Sequence, residues 1–198
     1  MIIILLIIFT LLHSSVLNVG PGETYTTIQS AIDDSNNGDI IRISPGTYFE
    51  NLLIEKNLTL SSHYINQNGN LGTVADAEFY RLNTIVNGSN ASIADEIGSC
   101  MLVRPSEGSN LINTEIYALT IENGIGSKAK LNGIDKKFGG GVFIYKGNNV
   151  KIKYNIFKNN SSINVNSGGA LFLSPDDGIE FDDRAYENDL NQTRELFE

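Results

Sequence analysis

Residues 139–144 read Gly-Gly-Gly-Val-Phe-Ile, and residues 168–173 repeat them as Gly-Gly-Ala-Leu-Phe-Leu, 29 positions further along the chain. The same shift places Val150 on Ile179, so the likeness continues beyond the glycines. Each copy is a short apolar strand bounded by glycine or asparagine corners. A repeat of this length, made of short strands, predicts a solenoid in which each copy is one coil of parallel β-structure.

A looser copy extends the repeat toward the N-terminus. Residues 119–124 (Leu-Thr-Ile-Glu-Asn-Gly) align with residues 155–160 at a spacing of 36, because residues 127–137 insert a polar loop. Every second residue of each strand then points inward and stacks on its counterpart about 4.8 Å away in the next coil. At this repeat length the chain holds about six coils.

Asparagine marks one corner of the predicted coils. Asn123, Asn159 and Asn188 fall at equivalent positions of the repeat, where asparagine tolerates left-handed backbone and its amides can stack. In the last copy Arg184 replaces Asn155, a position that should face inward or lie at the start of a strand, so this coil is expected to be opening. We therefore expect a C-terminally incomplete β-helix that continues into further coils or a C-terminal anchoring domain.

A short helix is predicted before the first coil, over residues 27–34, with Thr26 as N-cap and Gln29 at the capping-box position. This helix would cover the open edge of the first coil, which would otherwise aggregate. No other helix is predicted before the C-terminus. Residues 61–81 and 124–137 are predicted to be long insertions that can cover an outer face.

The composition excludes several classes of function. The chain has 198 residues, a net charge of −9 and 41% hydrophobic residues, which suits one globular unit. The acidic balance disfavours nucleic acid and anionic membrane surfaces, since both require a basic face. One cysteine excludes an internal disulfide framework, and two histidines are too few for a histidine-rich metal centre.

The N-terminus is predicted to be a secretory signal. Residues 2–12 form an almost unbroken apolar run that is too short for a transmembrane helix, which needs about 20 apolar residues. We therefore predict a signal peptide over residues 1–17 and a β-helix domain over residues 18–198, with the membrane involved only through the cleaved signal. A buried first strand is the alternative, but the run lacks alternation and turn residues.

Three stretches near the start of the domain carry a family resemblance. Residues 25–32 (Tyr-Thr-Thr-Ile-Gln-Ser-Ala-Ile), 38–41 (Gly-Asp-Ile-Ile) and 45–51 (Pro-Gly-Thr-Tyr-Phe-Glu-Asn) resemble the beginning of pectin-lyase-like parallel β-helices. The glycine repeats resemble the coils of exported β-helix-repeat proteins. The resemblance implies an all-β, single-stranded, right-handed parallel β-helix that is secreted or at the cell surface. It leaves activity open, because the superfamily includes lyases, hydrolases, esterases and adhesins.

Pectate lyases of this superfamily use acidic Ca²⁺ ligands and an Arg or Lys base on an outer strand face. By that resemblance the candidate Ca²⁺ ligands here are Asp176, Asp177, Glu180 and Asp182. Asp182 and Arg184 are the candidate catalytic residues. Polygalacturonase-like and pectinesterase-like activities are set aside, since the further catalytic motifs of those families have no counterpart in this chain.

A structural alternative explains the same acidic residues. The 29-residue shift sets Lys151 over Glu180 and Lys153 over Asp182, which gives two opposite-charge pairs between adjacent coils. Exposed pairs of this kind contribute only about 0–1 kcal/mol each. They nevertheless account for the charges without a metal, and we favour this interpretation.

Outward aromatic residues suggest the other candidate site. Phe143 and Phe172 align one above the other, and Tyr145 extends the same face. A stack of this kind suits a sugar ring and also a covering loop, and we favour the covering loop somewhat. The leading hypothesis is a non-catalytic cell-surface β-helix that binds glycan or acts as an adhesin or scaffold. The alternative is a Ca²⁺-dependent polysaccharide lyase or related hydrolase.

Three further features have unremarkable expected roles. Cys100 is expected to be a buried, inert thiol, and His63 a surface histidine without a catalytic partner. Asn-x-Ser/Thr sequons, which arise often by chance in an asparagine-rich chain, occur at Asn57, Asn87, Asn90, Asn159, Asn160 and Asn191.

Overall fold

Short strands with alternating inward and outward residues build the body of the protein. A computed structural model describes residues 14–91, 96–106, 109, 111–131, 134–162, 168–173 and 179–181. These described residues contain two helices, α1 (Ile28–Asp34) and α2 (Val74–Asn83). The strands are β1 (Val16–Val19), β2 (Ile40–Ile43), β3 (Gly46–Phe49), β4 (Leu52–Ile54), β5 (Leu58–Ser62), β6 (Thr84–Asn87), β7 (Met101–Val103), β8 (Ile112–Tyr117), β9 (Thr120–Glu122), β10 (Ser127–Leu131), β11 (Ile134–Phe138), β12 (Val142–Ile144), β13 (Gly147–Lys153), β14 (Ile156–Lys158), β15 (Leu171–Leu173) and β16 (Ile179–Phe181).

Within the described residues, three parallel sheets contain all of these strands except β10 and β11. Sheet A has the order β1-β2-β5-β8-β13-β16, sheet B the order β3-β6-β9-β14, and sheet C the order β4-β7-β12-β15. From β2 onward, and leaving aside β10 and β11, successive strands along the chain visit sheets A, B and C in turn. Each strand therefore pairs with its equivalent one repeat later, which is the connectivity of a parallel β-helix. The predicted solenoid of parallel β-structure is confirmed.

Inward side chains stack into continuous apolar columns between the sheets. In sheet A one column contains Ile41, Leu60, Ile116 and Ile152, which lie opposite one another in register and are fully buried. Sheets B and C contribute equivalent columns, such as Leu52, Met101, Val142 and Leu171. Burying each such side chain contributes about 1.5–3 kcal/mol, so these columns hold the coils together.

The register predicted from the repeats is confirmed at both spacings. In sheet C, Phe143 pairs with Phe172, and in sheet A, Lys151 pairs with Glu180, each at a shift of 29. In sheet B, Ile121 pairs with Phe157 at a shift of 36. The longer spacing has the expected cause, because an insertion lies between β9 and β12.

The corner between sheets B and C is built by asparagines. Asn123 and Asn159 have φ values of 63° and 54°, the left-handed backbone that asparagine tolerates better than most residues; Asn188 lies outside the described residues. The next residue, Asn160, is buried and accepts a hydrogen bond from the Gly124 amide at 3.0 Å. It also donates to the Ile121 carbonyl at 2.8 Å. This side chain satisfies backbone groups that the turn leaves without a ladder partner.

Asn155 plays the equivalent role at the corner between sheets A and B. It is fully buried. Its amide donates to the Ile116 carbonyl and accepts from the Leu119 amide. Arg184, its counterpart in the repeat, lies outside the described residues.

Helix α1 is present as predicted, but its N-cap is one residue later than expected. The Thr27 hydroxyl, not that of Thr26, accepts a hydrogen bond from the Ser30 amide. The Glu50 carboxylate accepts from the Ile28 and Gln29 amides, so a residue just after β3 satisfies two of the first-turn amides that have no partner within the helix. Helix α1 packs against β1, β2 and β4.

Helix α2 corrects the prediction that residues 61–81 form a loop without a helix. Thr73 and Asp76 form a complete capping box, in which each side chain accepts from the other residue's backbone amide. Ala77 and Arg81 form the buried side of the helix. The pattern was overlooked because this buried side carries little apolar surface, while Val74, Phe79 and Leu82 are exposed.

The second insertion is also more regular than predicted. Strands β10 and β11 pair as an antiparallel hairpin, whereas residues 127–137 were expected to be a polar loop. The hairpin leaves between β9 and β12, and Phe138 at its end is buried on the outer face of sheet C. It is thus a cover for that sheet, one of the roles anticipated for the insertion.

Strand β1 lies across the boundary predicted between signal and domain. It begins at Val16 and pairs in parallel with β2. Ser15 donates its amide to the Asp39 carboxylate at 2.8 Å, and the Ser14 hydroxyl donates to the Gly38 carbonyl. The first sheet therefore includes residues that the prediction assigned to the leader, while residues 1–13 lie outside the described range. Within that range, none of the helices has the length and apolarity needed to span a bilayer.

Cys100 has the buried position expected of it. Its thiol donates to the Glu122 carbonyl at 3.1 Å inside the corner between sheets B and C. Burial raises the pKa of the Cys100 thiol to about 12, because the charged thiolate is disfavoured away from water.

We expect Leu60→Ala to lower the free energy of unfolding by about 2–5 kcal/mol, because it opens a cavity in the central column of sheet A. Leu60 is 0% exposed. The matched control is Leu111→Ala, which removes the same atoms from a residue that is 49% exposed. Urea denaturation followed by circular dichroism measures both. Equal losses in the two variants would contradict the columnar core.

We expect Cys100, the one cysteine of the chain, to resist an aromatic disulfide reagent at pH 8 in the native protein, because the thiolate that reacts is not formed. In guanidinium chloride the same sample should react fully within minutes. Absorbance of the released thiol reports both states. Rapid reaction of the native chain would show that this corner opens readily.

Candidate functional site

A row of outward side chains runs across sheet A from coil to coil. Val16, Ile40, Thr59, Glu115 and Lys151 lie opposite one another in successive strands. Their outward direction follows from alternation, since each is flanked by inward residues. With strands about 4.8 Å apart, the row offers one side chain per coil along the solenoid axis.

A second row, of asparagines, lies beside the first. Asn57 and Asn113 come directly before equivalent residues of β5 and β8, which pair in register. In β13 the register shifts between Gly147 and Val150, so that Asn148 and Asn149 together face the position of Asn113. Such a bulge redirects side chains at the start of a strand. The result is a band of amide groups next to the charged row.

The two rows line a groove of about 390 Å³. Besides Gly38 and Leu58, its walls consist of hydrogen-bonding side chains: Asn57, Thr59, Asn113, Glu115, Asn149 and Lys151. A second hollow of about 770 Å³ adjoins Val16 and Ile40, at the other end of the same row, under residues 67–69. We call the first hollow the sheet A groove.

Glu115 and Lys151 provide the charges of the sheet A groove. The Lys151 ammonium lies 3.1 Å from one Glu115 oxygen, with both side chains about one-third exposed. The buried Tyr117 donates its hydroxyl to the other Glu115 oxygen at 2.9 Å. Because both carboxylate oxygens are held, Glu115 has a fixed orientation. The pair nevertheless contributes only about 0–1 kcal/mol to folding at this exposure.

Asn113 supplies an acceptor that the fold does not use. Its backbone amide donates to the Asn57 side-chain oxygen at 2.8 Å. Its own side-chain oxygen is buried, with no hydrogen-bond partner among the described residues. An unpaired buried acceptor costs about 1–3 kcal/mol, and a ligand donor in the groove would recover that cost.

The predicted aromatic platform is covered, which corrects its assignment as a ligand-binding face. Phe143 faces outward from sheet C as expected, yet it is only 4% exposed. Phe138 of the hairpin lies over it, with ring centroids 5.5 Å from Phe143 and 4.6 Å from Phe172. Of the three predicted residues, Tyr145 alone is largely exposed, at 44%. The hairpin thus occupies the position proposed for a sugar.

The predicted metal and catalytic residues lie at the end of the described chain or beyond it. Asp176, Asp177, Asp182 and Arg184 are outside the described residues, and of Glu180 only the backbone in β16 is described. Lys151, which stands opposite Glu180, is already paired with Glu115. Within the described ranges, no group of three or more His, Cys, Asp or Glu side chains converges as a metal site.

His63 is more enclosed than the expected surface histidine. Its Nε2 lies 3.2 Å from the Ser44 hydroxyl, and its ring packs edge-on against Tyr80 of α2 at 5.8 Å between centroids. Partial burial lowers the pKa of His63, and the nearby Arg42 guanidinium lowers it further, while the Glu23 carboxylate opposes the shift. His63 therefore links α2 to the turn after β2 in its neutral form.

Sequence reasoning overlooked the sheet A groove, although a signal for it exists. Three sheet A strands share the pattern Asn-x-x-(Leu or Ile), at residues 57–60, 113–116 and 149–152. The spacings of 56 and 36 residues are irregular because α2 and the hairpin are inserted between the copies. A search for repeats of one fixed length therefore does not find this asparagine pattern.

No protein-family model matches the chain. A protein described as a cell surface glycoprotein from Methanothermus fervidus is 46% identical over 52 residues, which cover 25% of this chain and 9% of that protein. The aligned segment thus spans less than a tenth of the length of this relative. Two solved structures of the pectin methylesterase from Aspergillus niger align over 85% of this chain and 50% of theirs. Their sequence identities are 17% and 19%, with TM-scores of 0.43 and 0.40.

We expect the stability of the protein to fall as the pH drops from 7.5 to 5.5, and His63→Gln to reduce this dependence. The folded-state pKa of His63 lies below its ordinary value of 6.5, so below that value the unfolded chain binds the proton more readily and unfolding is favoured. Urea titrations at the two pH values measure the effect. An unchanged pH dependence in His63→Gln would contradict it.

Proposed function

We propose that this chain is a non-catalytic, right-handed β-helix module of about six coils in a secreted or cell-surface protein, and that it binds a glycan in the sheet A groove. The observation that carries the proposal is the arrangement of the groove itself. One ion pair, one hydroxyl and several amides face solvent side by side, on a surface held rigid by parallel strands. Rigid presentation reduces the entropy lost when a ligand binds.

The groove chemistry suits sugar hydroxyl groups. Glu115 and the Asn113 oxygen are acceptors, while Lys151 and the asparagine amides are donors. A sugar presents hydroxyls that both donate and accept, so it can pair with both kinds of group at once. The spacing of coils, about 4.8 Å, is comparable with the length of one ring in an extended saccharide. A linear glycan along the solenoid axis would therefore meet equivalent contacts in successive coils.

A surface location has independent support. The relative from Methanothermus fervidus is described as a cell surface glycoprotein, and its matching segment is 46% identical. The apolar run of residues 2–12 agrees with export. Adhesion or scaffolding through the groove is the role that we propose for the module within a longer surface protein.

We expect a glycan array probed with the full chain to identify linear saccharide ligands, and Lys151→Ala to weaken the strongest of them by roughly 10- to 100-fold, the loss expected for one charged hydrogen bond. The matched control is Lys158→Ala. Lys158 also pairs with a glutamate of the neighbouring strand, Glu122, but on the outer face of sheet B. Isothermal calorimetry measures both variants.

Equal weakening in both lysine variants would indicate a general charge effect and would contradict the groove as the site. An array without any bound glycan would contradict glycan binding altogether. Loss of binding in Lys151→Ala alone, with an unchanged melting temperature, would support the proposal.

The Ca²⁺-dependent lyase remains the competing hypothesis, and calcium distinguishes the two. Binding in the sheet A groove requires no metal, so chelation should leave glycan affinity unchanged. Saturable Ca²⁺ binding that is lost in Asp182→Ala, together with unsaturated products from a polyuronate, would favour the lyase. Calorimetry and absorbance of the product double bond test both on one sample.

A further inference from the structure

Four sequons have all three of their residues in the described part of the chain. They begin at Asn57, Asn87, Asn159 and Asn160. Transfer of a sugar to asparagine requires the side-chain amide nitrogen to reach the transferring enzyme and then to carry a bulky polar group. The four side-chain amides differ in their exposure and hydrogen bonding. These differences decide which of them can be modified in the native protein.

Three of the four side chains are at least half-buried in the coils, and two of them donate their amide hydrogens there. Asn87 is 6% exposed and donates to the Glu122 carboxylate at 2.8 Å. Asn160 is 2% exposed and donates to the Ile121 carbonyl. Asn57 is half-buried, and its oxygen accepts from the Asn113 amide. A glycan on Asn87 or Asn160 would break a buried hydrogen bond and force a coil apart.

Asn159 is the exception. It is exposed, at the tip of the turn after β14, and its side chain makes no hydrogen bond with any described residue. Its left-handed backbone, with φ of 54°, turns the chain sharply there. The third residue of its sequon, Ser161, is also exposed, and its backbone amide is held by the Gly124 carbonyl at 2.9 Å. Both groups that a sequon-reading enzyme recognises are therefore presented outward from a fixed turn.

We propose that Asn159 is an acceptor for an N-linked glycan, and that the overlapping sequon at Asn160 is not. The co-reactant is a sugar activated as a diphosphate ester. A bond forms between the Asn159 Nδ2 and the anomeric carbon, and the bond from that carbon to the phosphate oxygen breaks. The diphosphate leaves with the electron pair, and one amide proton passes to a base of the transferring enzyme.

The position of Asn159 keeps such a glycan away from the sheet A groove. Asn159 lies at the corner between sheets B and C, the one corner of the coil that sheet A does not form. The inference is thus independent of the proposed ligand.

The overlapping sequons allow a test with two matched substitutions. Ser161→Ala removes the sequon of Asn159 but leaves that of Asn160 intact, because the middle position of a sequon accepts alanine. Ser162→Ala removes only the sequon of Asn160. The full chain is secreted from a yeast host and treated with a glycan-releasing amidase in ¹⁸O-water, which converts each occupied asparagine to labelled aspartate. Mass spectrometry of tryptic peptide 159–184 then locates the label.

We expect the label at Asn159 in the wild-type chain and in Ser162→Ala, and its loss in Ser161→Ala and Asn159→Gln. Thermal melting before and after deglycosylation should agree, because the glycan replaces no native contact. Label at Asn160, or label that persists in Ser161→Ala, would overturn the proposal. An unlabelled wild-type peptide, from a culture in which a co-secreted control glycoprotein is fully occupied, would overturn it as well.

Discussion

Parallel pairing of each strand with its equivalent in the next coil is the constraint on which the structure depends. Every strand in sheets A, B and C satisfies its backbone groups through a neighbour one repeat away. Because that neighbour is in register, residues of like character must recur at the same position. The columns around Leu60 and Met101, the row that ends in Lys151 and the corner asparagines are all consequences of this rule. At the corner between sheets A and B, the buried Asn155 hydrogen-bonds backbone groups of the neighbouring coil.

The sequence predicted the regular part of this architecture well, since the rule operates on local pattern. The 29- and 36-residue shifts correctly paired Phe143 with Phe172 and Ile121 with Phe157. Helix α2 escaped prediction because its signal is a capping box at Thr73 on a weakly amphipathic segment. The insertions are not part of the repeat, so the repeat spacing carries no information about their secondary structure.

The candidate site was less predictable, for a physical reason. Whether an outward residue is accessible depends on what the insertions cover. Phe143 and Lys151 both point away from the core, yet the hairpin covers Phe143 and leaves Lys151 open. The alternation of inward and outward residues cannot distinguish these cases, because covering depends on the tertiary packing of the insertions. The sheet A groove also depends on the bulge in β13, which changes register without leaving a mark in the hydrophobic pattern.

Helix α2 and the β10–β11 hairpin have in common that each leaves and rejoins the coil at a turn. The flanking strands remain in register on both sides, as the pairing of β6 with β9 and of β7 with β12 shows. The hydrogen-bonded pairing of the strands is therefore independent of the length of the segment inserted at the turn. These two turns are therefore suitable insertion sites for protein engineering. A foreign peptide or small domain grafted at either turn would be displayed from the side of a rigid rod, at a fixed position along its axis.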